Sequence, residues 1–200
     1  MTMSRHINAI IKSGFYHLRN IAKIRNLLTL NTTKILTHAF VFSKIDNYNS
    51  LLFGLPKQLI DKLQHLLNAA ARVITGAKKN DHISPILQEL HWLPMEQRII
   101  FKINLITFKC LNNQAPSYLK QLLTLYRPNR ALRSSSDKLK LMTVPYNLKS
   151  YGYRSHSVHA SIPWNSVPFN IRSAENITSF KSMLFLVYSC IIVRRLGHYV

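Results

Sequence analysis

Leu51–Pro94 reads LLFGLPKQLIDKLQHLLNAAARVITGAKKNDHISPILQELHWLP. Within it, residues 57–75 place Leu59, Ile60, Leu63, Leu66, Leu67, Ala70, Val73 and Ile74 in an arc of roughly 160° at the helical step of 100° per residue. Asp61, Gln64, His65, Asn68 and Arg72 fall on the other side. The pattern predicts an amphipathic helix. Gly54-Leu55-Pro56 makes a turn before it, and Gly76 is suited to end it. Ala69-Ala70-Ala71 leaves room for a neighbouring helix. His65 and Arg72 either meet a phosphate or line a solvated face. Ala77–Asp81 is a loop with Lys78 and Lys79 at its tip. Ser84 as cap and Pro85 at the first helical position open a short helix ending near His91-Trp92.

Downstream, Pro94 starts a helix with Glu96 in its first turn, where the dipole favours an acid. Residues 95–111 are apolar nearly all round, which predicts a buried central helix with Arg98, Lys102 and Lys109 as a narrow exposed stripe. Asn112-Asn113 ends it, and Pro116 opens a short helix through Leu125. Residues 127–137, with Arg127, Arg130, Arg133 and three serines, read as a surface loop able to touch phosphate. Lys138–Pro145 alternates like a strand. Tyr146, Tyr151 and Tyr153 either stack on bases or pack an irregular segment. Tyr153–Trp164 predicts a helix with Val158 and Ile162 inward. His156 and His159 lie one turn apart without a third ligand, so no metal site is expected. Asn176 caps a last helix, whose apolar run 183–193 is far short of the ~20 residues that span a bilayer.

Upstream, residues 31–50 suggest a helix capped by Asn31 or Thr32, with Ile35, Leu36, Ala39, Phe40 and Phe42 as core candidates. Residues 5–28 suggest another, with Ile7, Ile10, Ile11, Leu18, Ile21 and Leu28 on one face. Arg5, Lys12, Arg19 and Lys23 fall within roughly 40° of each other on the opposite face. That stripe reads as a phosphate track or as a solvated face. Gly14 costs this helix about 1 kcal/mol of propensity. The first acid is Asp46, so the basic, amphipathic N-terminus also has the character of a mitochondrial targeting helix.

The totals constrain function. Lys and Arg number 27 against 7 Asp and Glu, a net charge of +20 that reads as a polyanionic partner, nucleic acid or an anionic membrane face, or as a bias of composition. The acids are Asp46, Asp61, Asp81, Glu89, Glu96, Asp137 and Glu175, all scattered. Two-metal phosphoryl transfer needs clustered carboxylates, and glycoside hydrolysis needs a convergent pair. Phosphate-cradling glycine loops and a nucleophile elbow are missing too. Cys110 and Cys190 sit in apolar runs and read as buried thiols.

The string HAFVFSKIDNYNSLLFGLPKQLIDKLQHLLNAAARVITGAKKNDHISPILQELHWLPMEQRIIFKINLITFKCLNNQAPSYLKQLL resembles the C-terminal part of reverse transcriptases from LINE-type, non-LTR retrotransposons of the jockey and chicken-repeat groups. The resemblance continues through LRSSS, VPYNLKSYGYRSHSVHASIPWNSVP and SFKSML, running from about Ile7 to Tyr188. It implies a helical thumb, and the segment beyond it, that hold template RNA and growing DNA. The palm's aspartate pair and the endonuclease domain have no counterpart here, so no catalytic residue carries over. The Lys78-Lys79 loop becomes part of a nucleic-acid grip. The chain departs from the family at Asn47-Tyr48, where a Tyr-Cys pair is usual, near Ile162, where an arginine or leucine is often found, and from Cys190 onward. These departures suggest a decayed or truncated copy.

The expectation is a mainly α fold, a bundle of six to eight helices with a small irregular or β segment near 138–150. Its parts would be basic thumb-like helices (1–50), a helical core (51–126), a basic and aromatic loop region (127–153) and C-terminal helices with a tail (154–200). The expected function is a reverse-transcriptase-like fragment, not an enzyme on its own, that binds RNA or DNA nonspecifically and needs no cofactor, metal or small-molecule substrate. The nucleic-acid contacts would be Arg5, Lys12, Arg19, Lys23, Arg72, Lys78, Lys79, Arg98, Lys102, Arg127, Arg130 and Arg133. Rival readings are a helical module that binds protein partners and an imported mitochondrial protein. The family implies a nuclear or cytoplasmic location.

Overall fold

The computed structural model describes residues 3–47, 49–127, 139–143, 152 and 154–196, with side chains to residue 189. The Arg130 and Arg133 loop, Tyr146, Tyr151, Tyr153, the Cys190 side chain and much of the expected strand lie outside these residues. The chain is mainly helical, as its periodicities predict. It divides into two compact units, Met1–Arg98 and Ile99–Val200, a boundary inside the span 51–126 that the sequence suggests as one core.

In the first unit, α1 (Met3–Ile24) precedes a 3₁₀ turn (Arg25–Leu27) and α2 (Leu30–Thr37). A π turn (His38–Phe42) then leads into α3 (Ser43–Asp46), and a 3₁₀ turn (Asn49–Leu52) precedes α4 (Lys57–Thr75) and α5 (Ile83–Glu89). The opening stretch behaves as its pattern predicts: Ile60, Leu63, Leu66, Leu67, Ala70, Ala71 and Ile74 of α4 are buried. Gly76 stops the helix at φ +74°, its N–H bonded to the Arg72 carbonyl at 2.8 Å. α1 packs on α4 through Ile7, Gly14, Leu18 and Ile21. A Cβ on Gly14 would lie 2.5 Å from Leu66 Cδ2. The residue that weakens α1 by propensity is therefore what lets the two helices close up.

Other expectations for this unit change. α1 ends at Ile24, which leaves Leu28 outside it. The cap of α2 is Thr29, whose side chain accepts the Thr32 N–H at 3.2 Å, rather than Asn31 or Thr32. Ile35 and Phe40, expected in the core, are 59% and 45% exposed, while Thr33 and Thr37 are buried. The inward anchors are Val41, Phe42 and Ile45. Stepping back four residues at a time from Ile45 lands on Val41, Thr37 and Thr33, and the wide π turn keeps that row aligned. Thr33 fits because its hydroxyl donates to the Thr29 carbonyl at 2.9 Å. α5 starts at Ile83 behind His82, two residues before the expected start at Pro85 behind Ser84. It stops in a Schellman turn: the Trp92 N–H bonds Leu87 O at 2.8 Å, His91 N–H bonds Gln88 O at 3.0 Å, and His91 takes φ +55°. The turn delivers Trp92 onto Phe42, with ring centroids 4.3 Å apart.

α6 (Met95–Leu111) carries the unit boundary in its first turns. It ends as α5 does, with Asn113 at φ +58° and the Gln114 N–H bonded to Lys109 O at 2.8 Å. Its interior is less apolar than expected. Asn104 and Thr107 are fully buried, while Ile100, Phe101, Leu105 and Ile106 are only half-buried. Asn104 is held by a bond from its Nδ2 to Tyr188 Oη at 2.8 Å.

The second unit continues with α7 (Ser117–Gln121), α8 (His156–His159), α9 (Ser161–Ser166), α10 (Phe169–Arg172) and α11 (Ile177–Leu196). α7 is shorter than the expected helix through Leu125. The expected helix over 153–164 is instead two short ones, and Ile162 points outward while Ser161, Pro163 and Trp164 are buried. The core is aromatic: Phe108 stacks on Phe180 at 4.2 Å, and Trp164 lies 5.9 Å from Phe180. Among the described residues the expected strand reduces to one antiparallel bridge, Leu125 with Leu141. Asn165 completes it like a strand edge, its Oδ1 accepting from Leu141 N and its Nδ2 donating to Leu141 O, both at 2.9 Å. Asn176 caps α11 as predicted, accepting the Ser179 N–H at 2.8 Å. Phe180, Leu184 and Tyr188 of α11 face inward, and Leu186 is exposed.

Candidate nucleic-acid interface

α1 is a single helix from Met3 to Ile24, so its 100° step turns the sequence spacing into a surface. Arg5, Lys12, Arg19 and Lys23 are all exposed and share its outer face. From Arg5 to Lys23 the stripe runs about 27 Å at 1.5 Å per residue. Tyr16, 63% exposed, falls on the same face between Lys12 and Arg19. Its ring meets His17 edge-on at 5.4 Å, and His17 stacks on the exposed Phe40 ring at 5.2 Å.

Beside this row is a pocket of about 250 Å³, lined by His6, Ala9, Ile10 and Ser13 of α1, Lys44 of α3 and Asn47. The Lys44 ammonium donates to Ser13 Oγ and, at 3.0 Å, to His17 Nε2. Among the described residues no carboxylate lines the pocket. The nearest acid in sequence, Asp46, is paired with Arg98 through two bonds, Nε to Oδ1 at 2.6 Å and Nη2 to Oδ2 at 2.7 Å.

The remaining expected contacts part company. Arg98 is occupied by Asp46, and its guanidinium also lies 4.7 Å over the Phe42 ring. Arg72 is turned onto the loop that follows α4, donating to Lys78 O at 3.2 Å and Asp81 O at 3.1 Å. Asp81 Oδ2 accepts the Lys78 N–H at 2.7 Å. This bracing presents Lys78 and Lys79, which are exposed. Lys102 and Arg127 are exposed in the second unit. Sequence reasoning missed Tyr16, Lys44 and the exposure of Phe40. Tyr16 was legible as the residue four after Lys12. Lys44 was not, because its partners lie far away in sequence.

Several groups are shifted in acidity. His38 stacks on Phe42 at 4.7 Å, and burial together with the Arg98 charge lowers its pKa. In the second unit His156 Nδ1 lies 3.4 Å from His159 Nε2, and His159 Nδ1 lies 3.0 Å from Arg154 O. Burial, then the neighbouring His159, lower His156 to about 4, and burial lowers His159 as well. Burial raises the Cys110 thiol and pushes Tyr188 up to about 12. Among the described residues no three His, Cys, Asp or Glu side chains are grouped to hold a metal, and no helix is long and apolar enough to cross a membrane.

No family model, curated protein or solved structure matches the chain.

Proposed function

We propose that the chain is a non-catalytic nucleic-acid-binding fragment, similar to the region beyond the palm of a LINE-type reverse transcriptase. In this reading RNA or DNA is held by its phosphates along α1. The supporting observation is the outer face of that helix: Arg5, Lys12, Arg19 and Lys23 exposed in one row, upstream of the first acid in a chain of net charge +20. Such a row releases counterions when it neutralises phosphates, so affinity falls steeply with salt. Fluorescence anisotropy with labelled single strands, duplex and RNA–DNA hybrid, from about 50 to 200 mM salt, tests it. Affinity indifferent to salt removes the phosphate contacts. Metal-dependent primer extension by the purified chain removes the non-catalytic half.

A second reading is favoured by Leu27, 86% exposed, with Ile24, Leu30 and Ile35 also exposed around the α1–α2 corner. These residues suit a protein partner. Analytical ultracentrifugation showing a defined oligomer without oligonucleotide binding selects this alternative.

A further inference from the structure

We infer that the pocket between α1 and α3 is a phosphate seat, and that the Tyr16–His17–Phe40 row beside it is a base-stacking platform. Together they grip one nucleotide of a single strand. This inference rests on the nucleic-acid reading above and adds to it a strand type and a point of attachment.

The pocket supplies the first argument. Its polar lining includes Ser13, Lys44 and Asn47, all able to donate, and among the described residues no carboxylate opposes an incoming anion. Lys44 is half-buried and fixed rather than waving in solvent, because two of its three N–H groups are spent on Ser13 and His17. Among the described residues nothing takes the third, and an ammonium held this way loses little freedom on binding a phosphate oxygen. The volume, about 250 Å³, admits a phosphate group.

The rings supply the second argument. Two large aromatic side chains, Tyr16 at 63% and Phe40 at 45% exposure, stand on the surface with His17 between them. His17 ties them to the pocket, since the same imidazole accepts from Lys44. A phosphate at Lys44 therefore has an aromatic face at the next group. Bases of a single strand offer free faces for such stacking, and those of a duplex do not. On α1 the pocket residues Ala9 and Ser13 are flanked by Lys12 and Tyr16, so the strand leaves the seat onto the basic row. An anionic membrane satisfies the charges but gives the stacked rings no special role.

The test compares the full-length chain with Lys44→Met and Tyr16→Ala, using labelled single-stranded and duplex oligonucleotides and anionic vesicles. Tyr16 is exposed enough that its variant folds even where Lys44→Met does not, and thermal melts check both. The expected result is a preference for single strands, a loss of about fivefold or more for Tyr16→Ala on single strands alone, and a weaker salt dependence for Lys44→Met. Wild-type affinity in both folded variants, alongside lost binding when Arg5, Lys12, Arg19 and Lys23 are replaced by glutamine, overturns the seat and leaves the nucleic-acid reading standing. Wild-type protein that binds no oligonucleotide overturns both. Equal binding to vesicles and single strands with Tyr16→Ala harmless assigns the face to membranes and overturns the seat.

Discussion

The two units keep their ionisable groups in different places. In the first, the buried surface is largely aliphatic and the cations are sorted: Arg25, Arg72 and Arg98 turn onto carbonyls or a carboxylate, while the α1 row faces outward. In the second, Phe108, Trp164 and Phe180 fill the core and share it with Asn104, Thr107, His159 and Arg172. Like residue types thus do unlike work. An arginine in the first unit can be a strut or a surface charge, and a histidine in the second is an interior group held neutral. Net charge alone overstates how much of the first unit is free to meet an anion.

The sharpest way to break that sorting is to neutralise the outer row. Replacing Arg5, Lys12, Arg19 and Lys23 by glutamine should lower single-strand affinity on the order of 100- to 1,000-fold near 0.1 M salt and reduce the salt slope by about 3. The melting temperature should hold or rise, because like charges are removed. If the unit unfolds instead, the row is structural and the sorting is wrong.

Arg25 marks the opposite class. Its Nε donates to Val73 O at 3.1 Å, Nη2 to Ile74 O at 2.9 Å and Nη1 to Leu28 O at 3.1 Å. It therefore closes the C-terminal end of α4, where carbonyls lack helical partners and the dipole favours a cation. Arg25→Ala should cost about 2–3 kcal/mol in denaturant titration with little change in oligonucleotide affinity. Loss of binding at unchanged stability would move Arg25 into the outward class.

Acid tests the second unit. His156 and His159 have folded pKa values below their unfolded ones, so the folded state binds fewer protons. Their penalty is absent at pH 7, grows as pH falls through about 6.5, the unfolded value, and for His156 levels off below about 4. Melts at pH 7 and pH 4.5 should differ by about 1–2 kcal/mol after solvent screening. His156→Gln should flatten the dependence, and an unchanged slope would place the acid sensitivity elsewhere.

These contrasts also show what the sequence could reveal. α4, its Gly76 stop and the α1 basic row were legible because each depends on local spacing. The struts were not. Arg25 reaches residues 48 and 49 positions away, and Arg98 meets Asp46 across 52. Polarity hid the true inward row of α2 and α3: Thr33 and Thr37 hold core positions that hydrophobicity assigns to Ile35 and Phe40. The pocket needs Lys44 beside Ser13, a juxtaposition only the folded chain makes. A polar residue inside an apolar helix, Asn104, gave no sign that its Nδ2 would pair with Tyr188.

The smallest effect probes the seam between α1 and α4. Gly14→Ala gains about 1 kcal/mol of helix propensity but puts a Cβ against Leu66, which is fully buried and has little room to retreat. Overpacking of this kind costs about 1–3 kcal/mol, so the net should be a loss of about 1 kcal/mol. In a Leu66→Ala background the obstruction is gone and only the propensity gain remains, so the same substitution should become stabilising by about 1 kcal/mol. The reversal of sign is the diagnostic, since no purely local account of Gly14 makes its effect depend on a residue 52 positions away. A gain in both backgrounds would mean that the helices stand apart, and the tight aliphatic seam that sets the first unit against the second would be lost.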